Sequence, residues 1–159
     1  MQKIVPCLWF DNNAEEAIEY YISIFNDSRI ESVSRYGAEG PGPEGSVLVI
    51  EFTLEGQRFM ALNGGPDFAF TPAISLYVNV ATQEELDRIW NQLSAYPEEE
   101  QCGWLKDRFG LSWQIVPTML GEMMNSRDAI RKGRMVKALM KMKKLDMNAL
   151  IQAFEQPQP

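Results

Sequence analysis

Apolar and polar residues follow the same order in two stretches of the chain. The first is LWFDNNAEEAIEYYISIF, residues 8–25, and the second is LYVNVATQEELDRIWNQLS, residues 76–94. Each pattern predicts a short apolar strand, a polar turn and an amphipathic helix. When the Glu-Glu pairs are aligned, the apolar helix residues share one face: Ala17, Tyr20, Tyr21 and Ile24 in the first, and Leu86, Ile89, Trp90 and Leu93 in the second.

Both predicted helices begin with a capping pattern. Asn13 precedes Glu16 by three residues, and Thr82 precedes Glu85 by three. In such a pair the first side chain accepts a hydrogen bond from the third helical amide, and the glutamate reaches back to a preceding amide. We therefore expect Asn13 and Thr82 to be N-caps.

Strand patterns follow each helix. After the first helix, residues 29–36, 46–54 and 57–63 read as strands, and the last two are joined by a tight Glu55-Gly56 turn. After the second helix, QCGWLKDRFGLSWQIVP (101–117) reads as a hairpin whose second arm alternates apolar and polar residues. The chain thus reads as a βαβββ module followed by a shortened βαββ(β) module, an internal repeat that favours two similar halves.

The predicted organisation has four parts. Residues 1–63 form the first module, 64–72 a connector, 73–117 the second module and 118–159 a helical tail. In the tail, apolar residues recur every three or four positions, and Asp146 is a candidate N-cap. We expect the apolar stripe to pack against the protein's own sheet or a second subunit, with the basic face in solvent. Binding of an acidic partner or an anionic membrane by this tail is the alternative.

Charge is unevenly distributed. Residues 1–126 carry seven basic and 19 acidic residues, a net charge of −12, whereas residues 127–159 carry +5. An acidic body argues against a nucleic-acid partner.

No apolar run approaches the roughly 20 residues of a membrane helix. The amino-terminal sequence does not resemble a secretory signal, so we expect a cytoplasmic protein without membrane contact.

The chain contains no histidine and two cysteines, Cys7 and Cys102, which we expect to be unpaired thiols. Histidine-dependent hydrolase mechanisms and histidine-ligated metal sites are therefore excluded. General acid–base chemistry would have to use a carboxylate, lysine, tyrosine or cysteine. Three such candidates are Cys102, Tyr77 and Asp67, although a buried structural thiol and a turn-capping aspartate are the simpler interpretations of the first and last.

The motifs PCLWFDNNAEEA, NGGP and CGWLKD-FG-SWQIVP, together with the paired modules, resemble the PhnB-like branch of the vicinal-oxygen-chelate (glyoxalase/bleomycin resistance/dioxygenase) superfamily. Members of this branch often carry the name demethylubiquinone methyltransferase. The resemblance implies an α+β fold of paired βαβββ modules with curled, antiparallel-rich sheets and a C-terminal helical tail. It also implies a homodimer, because modules of this superfamily often complete their cups across two subunits.

The resemblance further implies where metal ligands would lie. The corresponding positions here are near Pro6, Met60, Ala73 and Gln114, and three of these side chains cannot bind a hard divalent cation. We therefore expect neither a metal nor another cofactor. A methyltransferase would need an S-adenosylmethionine site, and no glycine-rich dinucleotide-type turn follows the first strand.

The curled sheets should instead enclose a mostly apolar cup with a few polar groups, suited to a small apolar or aromatic organic ligand. The residues expected to contact this ligand are Leu8, Met60, Ser75, Tyr77, Cys102, Trp104 and Gln114. The loop GAEGPGPEG (37–45) is a candidate lid. Metal-independent sequestration is the leading hypothesis; the alternative is an enzyme of the superfamily acting on a small organic substrate.

Overall fold

The computed structural model describes residues 2–156. They form two compact units that divide between Phe70 and Thr71, and this boundary falls within the segment predicted to be a connector. The last three residues of the predicted tail, 157–159, lie outside the described residues.

The first unit is a βαβββ module. Its elements are β1 (Cys7–Phe10), α1 (Ala14–Ile24), β2 (Arg29–Arg35), β3 (Val47–Leu54) and β4 (Gln57–Asn63). The strand order is β1-β4-β3-β2, in which β1 is parallel to β4 and the other pairs are antiparallel. One face of α1 is fully buried and includes Ala17, Ile18 and Tyr21, so the helix covers one face of this sheet.

The second unit repeats this arrangement with one strand fewer among its described residues. Its elements are β5 (Ser75–Val80), α2 (Gln83–Leu93), a 3₁₀ turn (Pro97–Glu99), β6 (Trp104–Lys106), β7 (Ser112–Pro117), α3 (Thr118–Met124), α4 (Ala129–Leu139) and α5 (Met147–Glu155). The order is β5-β7-β6, and β5 is parallel to β7 as β1 is to β4. A counterpart of β2 is the missing strand. The α+β fold of two small mixed sheets with C-terminal helices agrees with the prediction.

Of the three predicted N-caps, two make the expected side-chain hydrogen bond and one does not. The Thr82 hydroxyl accepts from the Glu85 amide at 3.2 Å, and Asp146 accepts from the Ala149 amide at 3.0 Å. Asn13 precedes α1 but makes no side-chain cap bond. Asn63 takes this role instead, because its Oδ1 accepts from the Ala14 amide at 2.9 Å.

The segment between α4 and α5 docks onto the second module. The Met142 and Lys143 carbonyls accept from the Cys102 and Gly103 amides, each at 2.8 Å, next to β6. On α2, the Gln83 side chain bonds the Leu145 carbonyl at 3.0 Å and the Met147 amide at 2.8 Å. The tail therefore packs within its own unit.

The expectation of a solvated basic face holds only in part. Arg131 and Arg134 donate to carbonyls of the last turn of α5, and the Arg131 guanidinium lies 4.5 Å from the centre of the Phe154 ring. Lys143 donates to the Pro97 carbonyl, and Lys144 pairs with Asp87 at 3.0 Å. The two arginines bond the end of α5 because carbonyls at helix C-termini lack intrahelical donors, whereas the two lysines bond a turn and a side chain of α2. Within residues 2–156, no helix has the length and apolarity needed to cross a bilayer.

Candidate functional site

Four residues predicted to contact a ligand lie on one face of the second sheet. In the register of the strands, Tyr77 is opposite Gln114, Gln114 is opposite Trp104, and Ser75 is opposite Ser112. Directly opposed residues project from the same side of a sheet. The Gln114 Nε2 donates to the Ser75 hydroxyl at 3.0 Å. Tyr77 is half exposed, and partial burial raises the pKa of its phenol.

Cys102 does not belong to this face. It lies on the turn before β6 with a positive φ of 53°, and its Sγ is 3.8 Å from the Met140 Sδ. Its backbone amide is bonded to the tail at Met142. Its position in this turn and its contact with the tail favour a structural role.

In the first unit, Met60 and Leu8 lie on opposite faces of the sheet, so the prediction that both line one surface is wrong. Met60 is opposite Cys7, whereas Leu8 is opposite Ala61 on the buried face. Leu8 is only 6% exposed and belongs to the core. A shift of one residue in strand register exchanges the two faces, which explains the error. The open face carries Trp9, which is opposite Leu62.

Trp9 forms one wall of a cavity of about 310 Å³. The other large side chains lining it are Tyr36, Leu48 and Leu62, and the remaining lining residues are Gly37, Gly40, Pro41 and Gly64. The Trp9 Nε1 donates to the Gly65 carbonyl at 2.9 Å, and the Phe68 ring meets the indole edge-on at 4.9 Å. The indole is therefore held in place within its own unit.

Three glycines make room for the two aromatic rings. A Cβ on Gly64 would lie 2.4 Å from the Trp9 ring, and Cβ atoms on Gly40 and Gly42 would lie 2.7 and 2.5 Å from the Tyr36 ring. The Tyr36 hydroxyl donates to the Asn63 carbonyl at 2.5 Å. The loop predicted as a lid thus forms part of the cavity wall.

A second cavity, of about 370 Å³, adjoins the first and shares Tyr36, Pro41 and Gly64 with it. Its polar lining includes Asp11, Asn12, Glu15, Ser46 and Asn63. Asn63 donates to Glu15 Oε1 at 2.6 Å and to the Val47 carbonyl at 3.1 Å. Sequence patterns alone do not identify Trp9, Tyr36 and Asn63 as site residues, although Asn63 begins the motif NGGP.

The residues near which the resemblance predicts metal ligands do not fit a divalent metal. Met60 offers a thioether, Gln114 is hydrogen-bonded to Ser75 through its amide nitrogen, and Pro6 and Ala73 offer no side-chain donor. Hard divalent cations require several oxygen ligands. Across residues 2–156, no group of three or more cysteine, aspartate or glutamate side chains is arranged to hold a metal ion.

The two aspartates of interest differ in environment. Asp67, the candidate base, is exposed on its loop, so burial does not desolvate it as the catalytic interpretation requires. Asp107, in the turn between β6 and β7, is fully buried. Its carboxylate accepts from the Phe109 and Leu111 amides and from the Trp113 Nε1 at 2.8 to 3.1 Å. This carboxylate therefore fixes the turn of the hairpin.

Two units built on a parallel βαβ crossover with an antiparallel strand beside it define the class of paired βαβββ proteins. A family model described as 3-demethylubiquinone-9 3-methyltransferase matches residues 2–116. The chain belongs to this family, since the model covers more than half of its length.

Solved structures agree with this assignment. A PhnB protein of Bacillus cereus that carries the methyltransferase name is 42% identical, with a TM-score of 0.64, and the match covers 74% of this chain and all of that one. A protein of Pseudomonas aeruginosa is 23% identical with a TM-score of 0.57, covering 74% of this chain and 98% of that one, and shares the fold. No match was found among curated proteins.

Proposed function

We propose that this protein binds a small apolar or aromatic organic molecule without a metal ion. The observation that carries the proposal is the cavity of about 310 Å³ walled by Trp9, Tyr36, Leu48 and Leu62. Its volume and aromatic lining match those of small-molecule sites, in which apolar walls supply most of the binding free energy. The fixed indole of Trp9 means that little side-chain entropy is lost on binding.

The sheet of the first unit fits this function better than the sheet of the second. The described cavity beside Trp104 and Ser112 has a volume of only about 60 Å³. The face with Ser75, Tyr77 and Gln114 is therefore a surface with polar groups, and the larger apolar groove lies beside Trp9. Among the predicted ligand contacts, Met60 is on the same open face as Trp9, since Cys7 and Trp9 are two residues apart on β1.

The methyltransferase name of the family does not describe the proposed function. Rossmann-type methyltransferases use a parallel sheet with a glycine-rich turn after the first strand. The two sheets here have four and three strands of mixed direction. The glycines beside Trp9 and Tyr36 serve instead to admit aromatic rings.

Binding is tested with a neutral aromatic probe, 2-naphthalenemethanol, by isothermal titration calorimetry and thermal shift. We expect saturable binding and a rise in Tm, since a ligand selective for the native state stabilises it. Gly64→Ala should weaken binding at least about tenfold, because the new Cβ displaces the Trp9 ring.

The matched control is Gly37→Ala. Gly37 lines the same cavity, but a Cβ there would meet nothing within 4 Å. We expect this variant to bind the probe as the wild type does. Absence of binding to the wild type, or equal weakening by both substitutions, would contradict the proposal.

We also propose that the protein is a homodimer, as in related modules of the superfamily. Sedimentation velocity should give a mass near twice the 18.1 kDa of the chain. A monomer at concentrations above those used for ligand binding would refute this assembly.

A further inference from the structure

We infer that the ligand of this site is an organic cation, with its apolar body beside Trp9 and its positive group beside Asp11 and Glu15. This inference rests on the proposed function and assigns the chemical class of the ligand. It follows from the two adjoining cavities of the first unit, which differ in polarity and share one aromatic wall.

The first step is the adjacency of the two cavities, which share part of their lining. Tyr36, Pro41 and Gly64 line both. Beyond them, Leu48 and Leu62 lie only on the apolar side, whereas Asp11 and Glu15 lie only on the polar side. A molecule that spans both cavities must therefore be apolar at one end and polar at the other.

The second step is the sign of the charge. The residues lining the two cavities include two carboxylates and no lysine or arginine. Arg35, from the strand next to the loop, directs its guanidinium to the Gly45 carbonyl and lines neither cavity. Residues 1–70 as a whole hold 11 acidic and four basic residues. This surplus of negative charge attracts cations and repels anions.

The third step is the fixed position of Glu15. Asn63 donates to its Oε1, and Asn63 is itself held by the Ala14 amide and the Val47 carbonyl. The amino terminus of α1 would otherwise attract an anion, but Ala14 already bonds Asn63 there and the two carboxylates would repel one. Tyr36 adds an aromatic face at the junction, and cations bind favourably to such faces.

The experiment compares three probes with the same naphthalene body: 2-naphthalenemethylamine, 2-naphthalenemethanol and 2-naphthoate. We expect calorimetry to show the amine binding about threefold to tenfold more tightly than the alcohol, and the carboxylate more weakly than both. The advantage of the amine should shrink as salt is raised, because ions screen partly exposed charges.

The decisive variant is Asp11→Asn/Glu15→Gln, which should reduce the advantage of the amine to less than about twofold while the alcohol still binds. Glu84→Gln/Glu98→Gln removes the same two charges from exposed positions of the second unit and should leave the advantage unchanged. If the double variant does not fold, Asp11→Asn alone replaces it, because this change retains the bond between Glu15 and Asn63. The single variant should partly reduce the binding advantage of the amine over the alcohol.

The outcomes separate the two proposals. Equal binding of the amine and the alcohol to the wild type, or an advantage that persists in the decisive variant, overturns the inference of a cation and leaves the proposed function standing. If none of the three probes binds, the proposed function fails as well.

Discussion

At the scale of single residues, two buried polar side chains organise the backbone around them. Asp107 accepts three hydrogen bonds within one hairpin, and Asn63 connects the end of β4 to the start of α1. Buried polar groups are stable only when their hydrogen bonds are satisfied, so each of these residues depends on its partners.

Replacing Asp107 by Asn should destabilise the protein by about 1–3 kcal/mol, because one carboxylate oxygen becomes an NH₂ group facing a donor. Urea unfolding followed by tryptophan fluorescence measures this change, and Trp113 is itself one of the donors. Asp67→Asn, on an exposed loop, is the control and should be nearly neutral. Similar losses from both substitutions would contradict the structural role of Asp107.

Asn63→Ala should cost about 1–2 kcal/mol in the free energy of unfolding, since the Ala14 amide loses its cap and Val47 its donor. Asn13→Ala should cost much less, because the Asn13 side chain makes no cap bond. Chemical denaturation of the two variants compares them directly. A greater loss from Asn13→Ala would support the capping pattern read from the sequence.

At the scale of elements, the β6 edge of the second sheet is partly covered, by the tail at one end and by the segment after α2 at the other. The carbonyls of Met142 and Lys143 bond the turn before β6, and the Ala95 amide bonds the Lys106 carbonyl at 3.2 Å. An uncovered strand edge is a template for aggregation. The tail thus stabilises a module that has one strand fewer than its counterpart.

The ion pair between Asp87 and Lys144 makes tail docking sensitive to acid. Hydrogen bonds from Gln83 and from Lys144 lower the pKa of the Asp87 carboxyl below its usual range. A lowered folded-state pKa gives stability above the pKa of the unfolded chain, and this stability is lost as the pH falls through the folded value. Between about pH 5 and pH 2 the urea midpoint should therefore fall less in Asp87→Asn than in the wild type. Parallel pH profiles would refute the contribution of this pair.

At the scale of the whole molecule, metal ions should have no stabilising effect. Thermal shift with Ni²⁺, Zn²⁺ or Mn²⁺, each compared with EDTA, should leave Tm unchanged, because the positions near Pro6, Met60, Ala73 and Gln114 lack the required ligands. A marked rise in Tm with any one of these ions would show that a metal site forms from other residues.

The sequence by itself determined the two modules, their helices and most of their strands. Strand and helix periodicities arise from local geometry, so the alternation at Ser75, Tyr77 and Gln114 places these side chains on one face of the second sheet, as the strand register does. The absence of histidine is likewise read directly from the sequence, and it restricts the possible chemistry without any structure. Thr82 and Asp146 were recognisable as caps because their bonds span only three residues.

Only the tertiary structure decided which residues meet across long separations in sequence. Leu8 was assigned to the wrong face because strand pairing, and not alternation alone, fixes which face is buried. Asn63 caps a helix that begins 49 residues earlier, and Tyr36 reaches the Asn63 carbonyl across 27 residues. The cavity beside Trp9 depends on glycines that leave space for aromatic rings, and that packing exists only once the sheet and its loop have come together.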